Sequence, residues 1–380
     1  EISQMFVVGF GASMIFGTFV GALGDRIGRK KICQIYCFLY ILSCFTKHFG
    51  KYWVLMLGRI TGGIATSLLF SGFEAWLVAE STKRLPPDGT ELGHMFALMW
   101  YGSSLIAILA GIVGDAIVAV RPLAHTGYAG FSYGGYISAF DLSSVVLTIA
   151  LAVVSLTWNE NFGTANSHQL PLGTLILRGV GVVARSRHLV ALMVLVGFFE
   201  GSMYSFVINW TPALQNQVSR PPVGRVFAAF MMACMCGSSL VDILLRSDWS
   251  GRLLAACACA LGALALAIAT GALWFGVSVL GTIQLLLSFI VFEFCVGLYF
   301  PAVSVIKRNL VIEELRSTVY NLLRVPLNAI VIILVLANPS ICVLLGVCTI
   351  LLAVAFLAAA SLRARHDDNC WEGIPTYSNG

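Results

Sequence analysis

The chain has 380 residues, 58% of them hydrophobic and 11% charged, with a net charge of +5. A soluble domain carries about 25% charged residues, and no single globular core hides this much apolar surface, so a water-soluble enzyme or binding module is excluded. The basic residues fall in short clusters between apolar runs, which argues against a nucleic-acid groove and for a lipid bilayer as the surrounding partner.

Apolar runs of at least ~17 residues read as membrane-spanning helices. In chain order they are 2–23, 32–49, 53–77, 94–118, 138–157, 189–210, 223–245, 253–273, 278–306, 318–337 and 340–361. Small-residue spacings such as Gly17/Gly21, Gly58/Gly62 and Gly197/Gly201 favour helices packed on one another over isolated anchors. Sixteen Lys and Arg, from Arg26 to Arg365, fall in one set of loops and the tail; the opposite loops hold five: Lys47, Lys51, Arg121, Arg220 and Arg225. The positive-inside rule puts the richer set and the C-terminus in the cytoplasm, with the plasma membrane as the expected location. Eleven helices that end inside begin outside, so this reading expects one further helix upstream, for twelve in all.

The longest polar connection, 158–188, divides the chain into a first half-bundle (1–157), a cytoplasmic linker, a second six-helix bundle (189–361) and a tail (362–380). Six plus six is the layout of two repeats about a central site. Within the linker, 170–187 mixes apolar residues with three arginines; lying along the membrane surface and irregular chain are both open there. Ten of the eleven cysteines sit in apolar segments and the other, Cys370, in the tail, with no C-x-x-C pair, so neither a disulfide framework nor a metal is expected, and no cofactor. The run Met231-Met232-Ala-Cys234-Met235-Cys236 reads as polarizable core filling. No His–carboxylate motif sits in a span, so nothing points to an enzyme.

Between the first two helices runs Gly21-Ala-Leu-Gly24-Asp25-Arg26-Ile-Gly28-Arg29-Lys30-Lys31. Its glycines permit a tight turn, and Asp25 suits the positive end of a neighbouring helix. The loop resembles the G-x-L-x-D-R-x-G-R-K-x signature of the major facilitator superfamily at every defining position. A degraded copy, Leu244-Leu-Arg246-Ser-Asp248-Trp-Ser-Gly251-Arg252, lies in the equivalent loop of the second half. A narrower resemblance runs along nearly the whole chain. Gly58-Arg59-Ile-Thr-Gly62-Gly63 with Phe73-Glu74-Ala-Trp76, Trp158-Asn-Glu160, Phe199-Glu200 with Asn209-Trp210-Thr211-Pro212, Glu293 with Gly297-Leu-Tyr299-Phe-Pro301, and Leu323-Arg324-Val-Pro326 are similar to the molybdate-anion transporter family. The resemblance implies an all-α membrane protein of the major facilitator fold. In that fold the signature loop joins helices two and three, in keeping with a first helix upstream.

Ionisable residues inside a membrane are costly and face a cavity or a partner. Glu200 lies ~11 residues into its span and Glu293 ~15 into a longer one, both near the midplane; Arg59 and Arg324 each lie ~9 Å from an edge. The resemblance assigns Arg59, Glu200 and Glu293 to helices four, seven and ten, which line the central cavity in the superfamily. Buried ion pairs tying the halves together are the competing reading. A tetrahedral oxyanion is best held by guanidinium forks and polar donors, so Arg59 and Arg324 are the candidate clamps, with Asn209, Asn321 and Tyr299 as lesser contacts. Glu200 or Glu293 is the candidate proton carrier, and Asp25, Arg26, Arg29 and Glu74 form the candidate conformational gate. Asp115, Asp141 and Asp242, near helix ends, are expected to be solvated or capping. The expected activity is uptake of a small molybdate-like oxyanion by alternating access with protons as a possible second substrate; an organic-solute carrier and a non-transporting receptor or scaffold stay open.

Overall fold

The computed structural model describes residues 2–84, 90–126, 130–162, 171–218, 221, 223–274 and 278–362. The first half comprises α1 (Ile2–Ile27), α2 (Arg29–Phe45), a 3-10 turn (Thr46–His48), α3 (Tyr52–Arg84), α4 (Thr90–Val120), a small hairpin of β1 (Ala124–His125) and β2 (Ser132–Tyr133), and α5 (Ile137–Thr157). After α6 (Leu172–Arg185), the second half comprises α7 (Arg187–Gln215), α8 (Val223–Arg246), α9 (Gly251–Trp274), α10 (Val279–Leu310), α11 (Arg316–Leu323), α12 (Val325–Ala337) and α13 (Ile341–Ser361). Each apolar run of the sequence is met by helix. Among the described residues ten helical stretches, α11 and α12 counted together, are long and apolar enough to cross a membrane; the shorter α2, which opens on Arg29, Lys30 and Lys31, falls below that mark.

Three local departures position the polar residues. The second run, read as 32–49, is helical only to Phe45. Beyond it Thr46 donates its hydroxyl to the Ser43 carbonyl at 2.6 Å, and the chain tightens into the 3-10 turn that carries Lys47. The run 318–337 is two helices, broken at Arg324 (φ −90°, ψ −7°) just before Val325-Pro326. Proline has no N–H to donate and restricts the residue before it, which breaks the hydrogen-bond ladder there. In the linker, α6 buries Leu175, Gly179 and Val183, four residues apart on one face, and sets Gly179 against Thr318 and Leu322 of α11.

The halves meet along two seams, α1 against α11 and α12, and α4 against α8 and α10. The largest apolar cluster belongs to the second half, where Phe206 meets Phe289 and Phe292 edge-on, each at 4.9 Å between ring centres.

Candidate functional site

At the end of the bundle bearing the Arg-rich loops, charged residues tie the halves together. Lys307 on α10 donates to the Glu74 carboxylate on α3 at 2.6 Å. Glu313, before α11, bridges Arg29 of the signature loop and Arg316 of α11. Arg29 is fully buried and also donates to the Glu313 backbone carbonyl at 3.0 Å and the Ala75 carbonyl at 3.3 Å. Arg26 is exposed on this face; the side chain of Asp25 lies outside the described residues. At the positive end of α2 the Glu160 carboxylate accepts from the Lys30 backbone N–H at 2.8 Å. Gly28 makes room for it: its φ is +110°, and a Cβ there would strike the Glu160 carboxylate. Trp76 stacks on Trp158 at 3.8 Å and donates to the Asn159 carbonyl at 2.9 Å, which fixes that turn to α3.

From mid-bundle to the opposite end runs a cavity of about 930 Å³, lined from α1, α2, α3, α4, α5, α7 and α12. Its volume is near the upper end of small-molecule sites, ~300–1,000 Å³. One wall is apolar, with Ile106, Leu109 and Val113 of α4 and Val146 and Leu147 of α5. The other carries Ser13, Tyr36, Tyr40, Ser43, Thr66, Tyr204 and Asn328 together with three cations, Lys47, Arg59 and Arg324. No carboxylate is among the described lining residues; the side chain of Asp115, next to Gly114, lies outside the described residues.

The three cations differ in their partners. Arg324 Nη1 donates to Glu200 Oε2 at 2.7 Å, both residues being no more than 5% exposed, and its guanidinium stacks over the Phe70 ring at 3.8 Å. Arg59 has an aromatic neighbour, Phe6, with its guanidinium carbon 5.3 Å from the ring centre, and its buried Nε has no hydrogen-bond acceptor. Lys47 lies at the mouth; burial, and secondly the adjacent Arg59, push its ammonium below the ordinary lysine range. Next to it His48 ties the turn to the hairpin and α5: Nδ1 faces the Ser132 carbonyl and Nε2 the Asp141 carboxylate, each at 2.9 Å. Asp141, expected to be solvated or capping, is thus half of a pair, and so is Asp242, held by His94 at 2.8 Å and Arg246 at 3.3 Å.

Of the residues singled out in the sequence, Arg59 and Arg324 share the cavity, and Glu200 reaches it through Arg324. Glu293 is not with them: it is buried in the seam of α10 with α8 beside Cys234, and α10 contributes nothing to the lining. Tyr299 lies behind Arg324, its hydroxyl 3.5 Å from Glu200 Oε1 and its ring stacked on Phe199 at 3.7 Å. Asn321 donates back to the Ser317 carbonyl, and Asn209 to the Ser205 carbonyl beside a separate 120 Å³ pocket between α7 and α12. Neither lines the main cavity; Asn328, one turn beyond Arg324, does. Glu74 and Arg29 fall in the closed end, joined by three residues the sequence did not mark as a gate: Lys307, Glu313 and Arg316. Their signal was the dense mixed charge of 307–316 facing the basic signature loop. Lys47 was missed as well. The sequence counted it as a loop cation, and it is the 3-10 turn after α2 that brings its Nζ to the Gly58 backbone beside Arg59.

A family model described as sugar transporters with twelve transmembrane segments matches residues 1–294. The molybdate-anion transporter of Xenopus tropicalis is 31% identical over 339 residues, covering 86% of this chain and 69% of the relative. That of Xenopus laevis is 32% identical over the same length and with the same shares. Among solved structures, a proton:xylose symporter of the major facilitator superfamily superposes with a TM-score of 0.73 at 12% identity, over 93% of this chain and 85% of that one.

Proposed function

Because this chain belongs to the major facilitator superfamily, with molybdate-anion transporters as relatives, we propose that it carries a small oxyanion, molybdate, across the plasma membrane by alternating access, coupled to a proton. The observation that supports this reading is the cavity's charge: three cations and no carboxylate among its described lining residues. A neutral sugar could use the wall's hydroxyls but would leave the charges of Lys47 and Arg59 unmet, and an organic cation would be repelled by them.

In this reading the Arg-rich end is cytoplasmic, and the Glu74–Lys307 and Arg29–Glu313–Arg316 contacts hold it shut while the cavity is open to the outside. An anion that reaches Arg324 competes with Glu200 for the same guanidinium. The displaced carboxylate, 3% exposed, then lacks its cation, and a buried carboxylate without a counter-charge binds a proton. Anion and proton therefore enter together, and parting of the closed end releases both inward.

The test is uptake of labelled molybdate by proteoliposomes carrying the protein, with sulfate or xylose as competitor and a pH gradient imposed or collapsed. We expect saturable uptake, competed by sulfate and untouched by xylose, that loses its response to the gradient in Glu200→Gln and keeps it in Glu293→Gln. Xylose uptake without molybdate uptake would overturn the substrate; an unaltered gradient response in Glu200→Gln would overturn the coupling.

A further inference from the structure

We infer that Lys47 and Arg59 together form the anion-receiving site, a two-cation station at the mouth of the cavity for a tetrahedral dianion, distinct from the deeper Arg324. The inference rests on the anion-carrier reading and adds to it a site, a residue and a charge preference. Lys47 and Arg59 both line the cavity, and among the described residues neither has an ion-pair partner. Two adjacent cations repel each other unless something neutralises them. Arg324 stands differently, since Glu200 already neutralises it. The outer pair therefore offers two charges and the inner arginine none until Glu200 leaves. A dianion gains more at the mouth than at the bottom.

The turn that presents Lys47 is built for the purpose. Ser43 donates to the Gly58 carbonyl at 2.7 Å, and Thr61 donates to the same oxygen at 3.2 Å, so the end of α2 is fastened to α3 one residue before Arg59. Gly58 allows that approach: a Cβ on it would collide with the Thr46 hydroxyl and lie 3.3 Å from Lys47 Nζ. The ammonium is thereby held beside the backbone that carries Arg59. A guanidinium fork and an ammonium give the paired and single donors that four equivalent oxygens accept.

The experiment is equilibrium binding of molybdate to the purified protein, beside perrhenate, a tetrahedral oxyanion with one negative charge instead of two. Lys47→Gln, Lys47→Arg and wild type are compared, each checked for a single size-exclusion peak and an unchanged melting temperature. We expect wild type to prefer molybdate, and Lys47→Gln to weaken molybdate about tenfold or more while moving perrhenate much less, because the second charge is what the lysine meets. Lys47→Arg should restore the preference. If Lys47→Gln binds molybdate as wild type does, the two-cation station is wrong and the carrier reading stands. The same holds if Lys47→Arg, folded, fails to restore binding. If wild type binds neither anion, the carrier reading itself fails, and the station with it.

Discussion

The two halves of the molecule are packed on different terms. In the second, α7 has 61% of its apolar stretch buried inside the protein, and Phe199, Phe206, Phe289 and Phe292 knit it to α10. In the first, α4 and α5 bury 6% and 11% of theirs, and the cavity lies between their inner faces and those of α1, α2 and α3. The second half is a solid against which the first is arranged around a space, and it closes that space with only a few residues, Tyr204, Val207, Ile208, Arg324 and Asn328. Charge follows the same division within the cavity: its cations from the first half, Lys47 and Arg59, have no acidic partner among the described residues, whereas Arg324 of the second is paired and stacked.

The largest expected effect separates the halves by stability. Phe206→Ala removes a fully buried ring from the second half and should cost about 4 kcal/mol. Leu109→Ala on α4, 48% exposed, should cost less than about 1 kcal/mol. Reversible unfolding in mixed micelles measures both, and equal losses would break the contrast. Somewhat smaller is the cost of parting the inner ion pair. Arg324→Met leaves Glu200 buried alone and should cost about 3 kcal/mol, and adding Glu200→Gln should return most of it. If the second change adds its own loss instead, the pair is not the unit that the 2.7 Å contact describes.

Much of this was legible beforehand, and what was not has a physical pattern. Helices are written into apolar length, so each run met its helix; the signature loop and the pair Phe73-Glu74-Ala-Trp76 and Trp158-Asn-Glu160 were legible as motifs because they pack on one another. Depth along a helix was also readable, which is why Arg59 and Arg324 were found. Rotation about the helix axis was not. Glu200 and Glu293 both lie near the midplane, yet one turns towards Arg324 and the other into the α8 seam, and that choice is fixed by neighbours far away in sequence. The same ignorance of facing put Asn209 and Asn321 on the site when each donates to its own helix one turn back. The break at Arg324 was signalled by Pro326, but a span read by hydropathy alone runs straight through it.

A third effect bears on the seam between the halves. Glu74→Gln weakens the charge-assisted contact with Lys307, worth about 1.5 kcal/mol, so the open fraction of the Arg-rich end should rise about tenfold. Spin labels at Lys83 on α3 and Arg246 on α8, both exposed on that end, would show a longer-distance population growing in the variant. A distance distribution identical to wild type would mean that Arg29, Glu313 and Arg316 hold the end shut without Glu74.

The smallest effect is a pH dependence at the mouth, and its sign follows from Lys47. Burial and the Arg59 charge lower this lysine's pKa from the ordinary value, so part of its charge is lost at a pH where an exposed lysine is still fully protonated. Only the charged form attracts the anion. Affinity for molybdate should therefore be full at low pH and decline as pH rises through the lowered pKa, by no more than the loss that Lys47→Gln produces. A bound dianion favours the ammonium and raises the same pKa, so binding on the alkaline side takes up protons, a second proton linkage separate from Glu200. Lys47→Arg keeps its charge throughout this range and should flatten the profile while leaving the response of uptake to an imposed pH gradient. An alkaline decline that persists in Lys47→Arg belongs to another group, and the open half of the molecule would then owe its anion affinity to Arg59 alone.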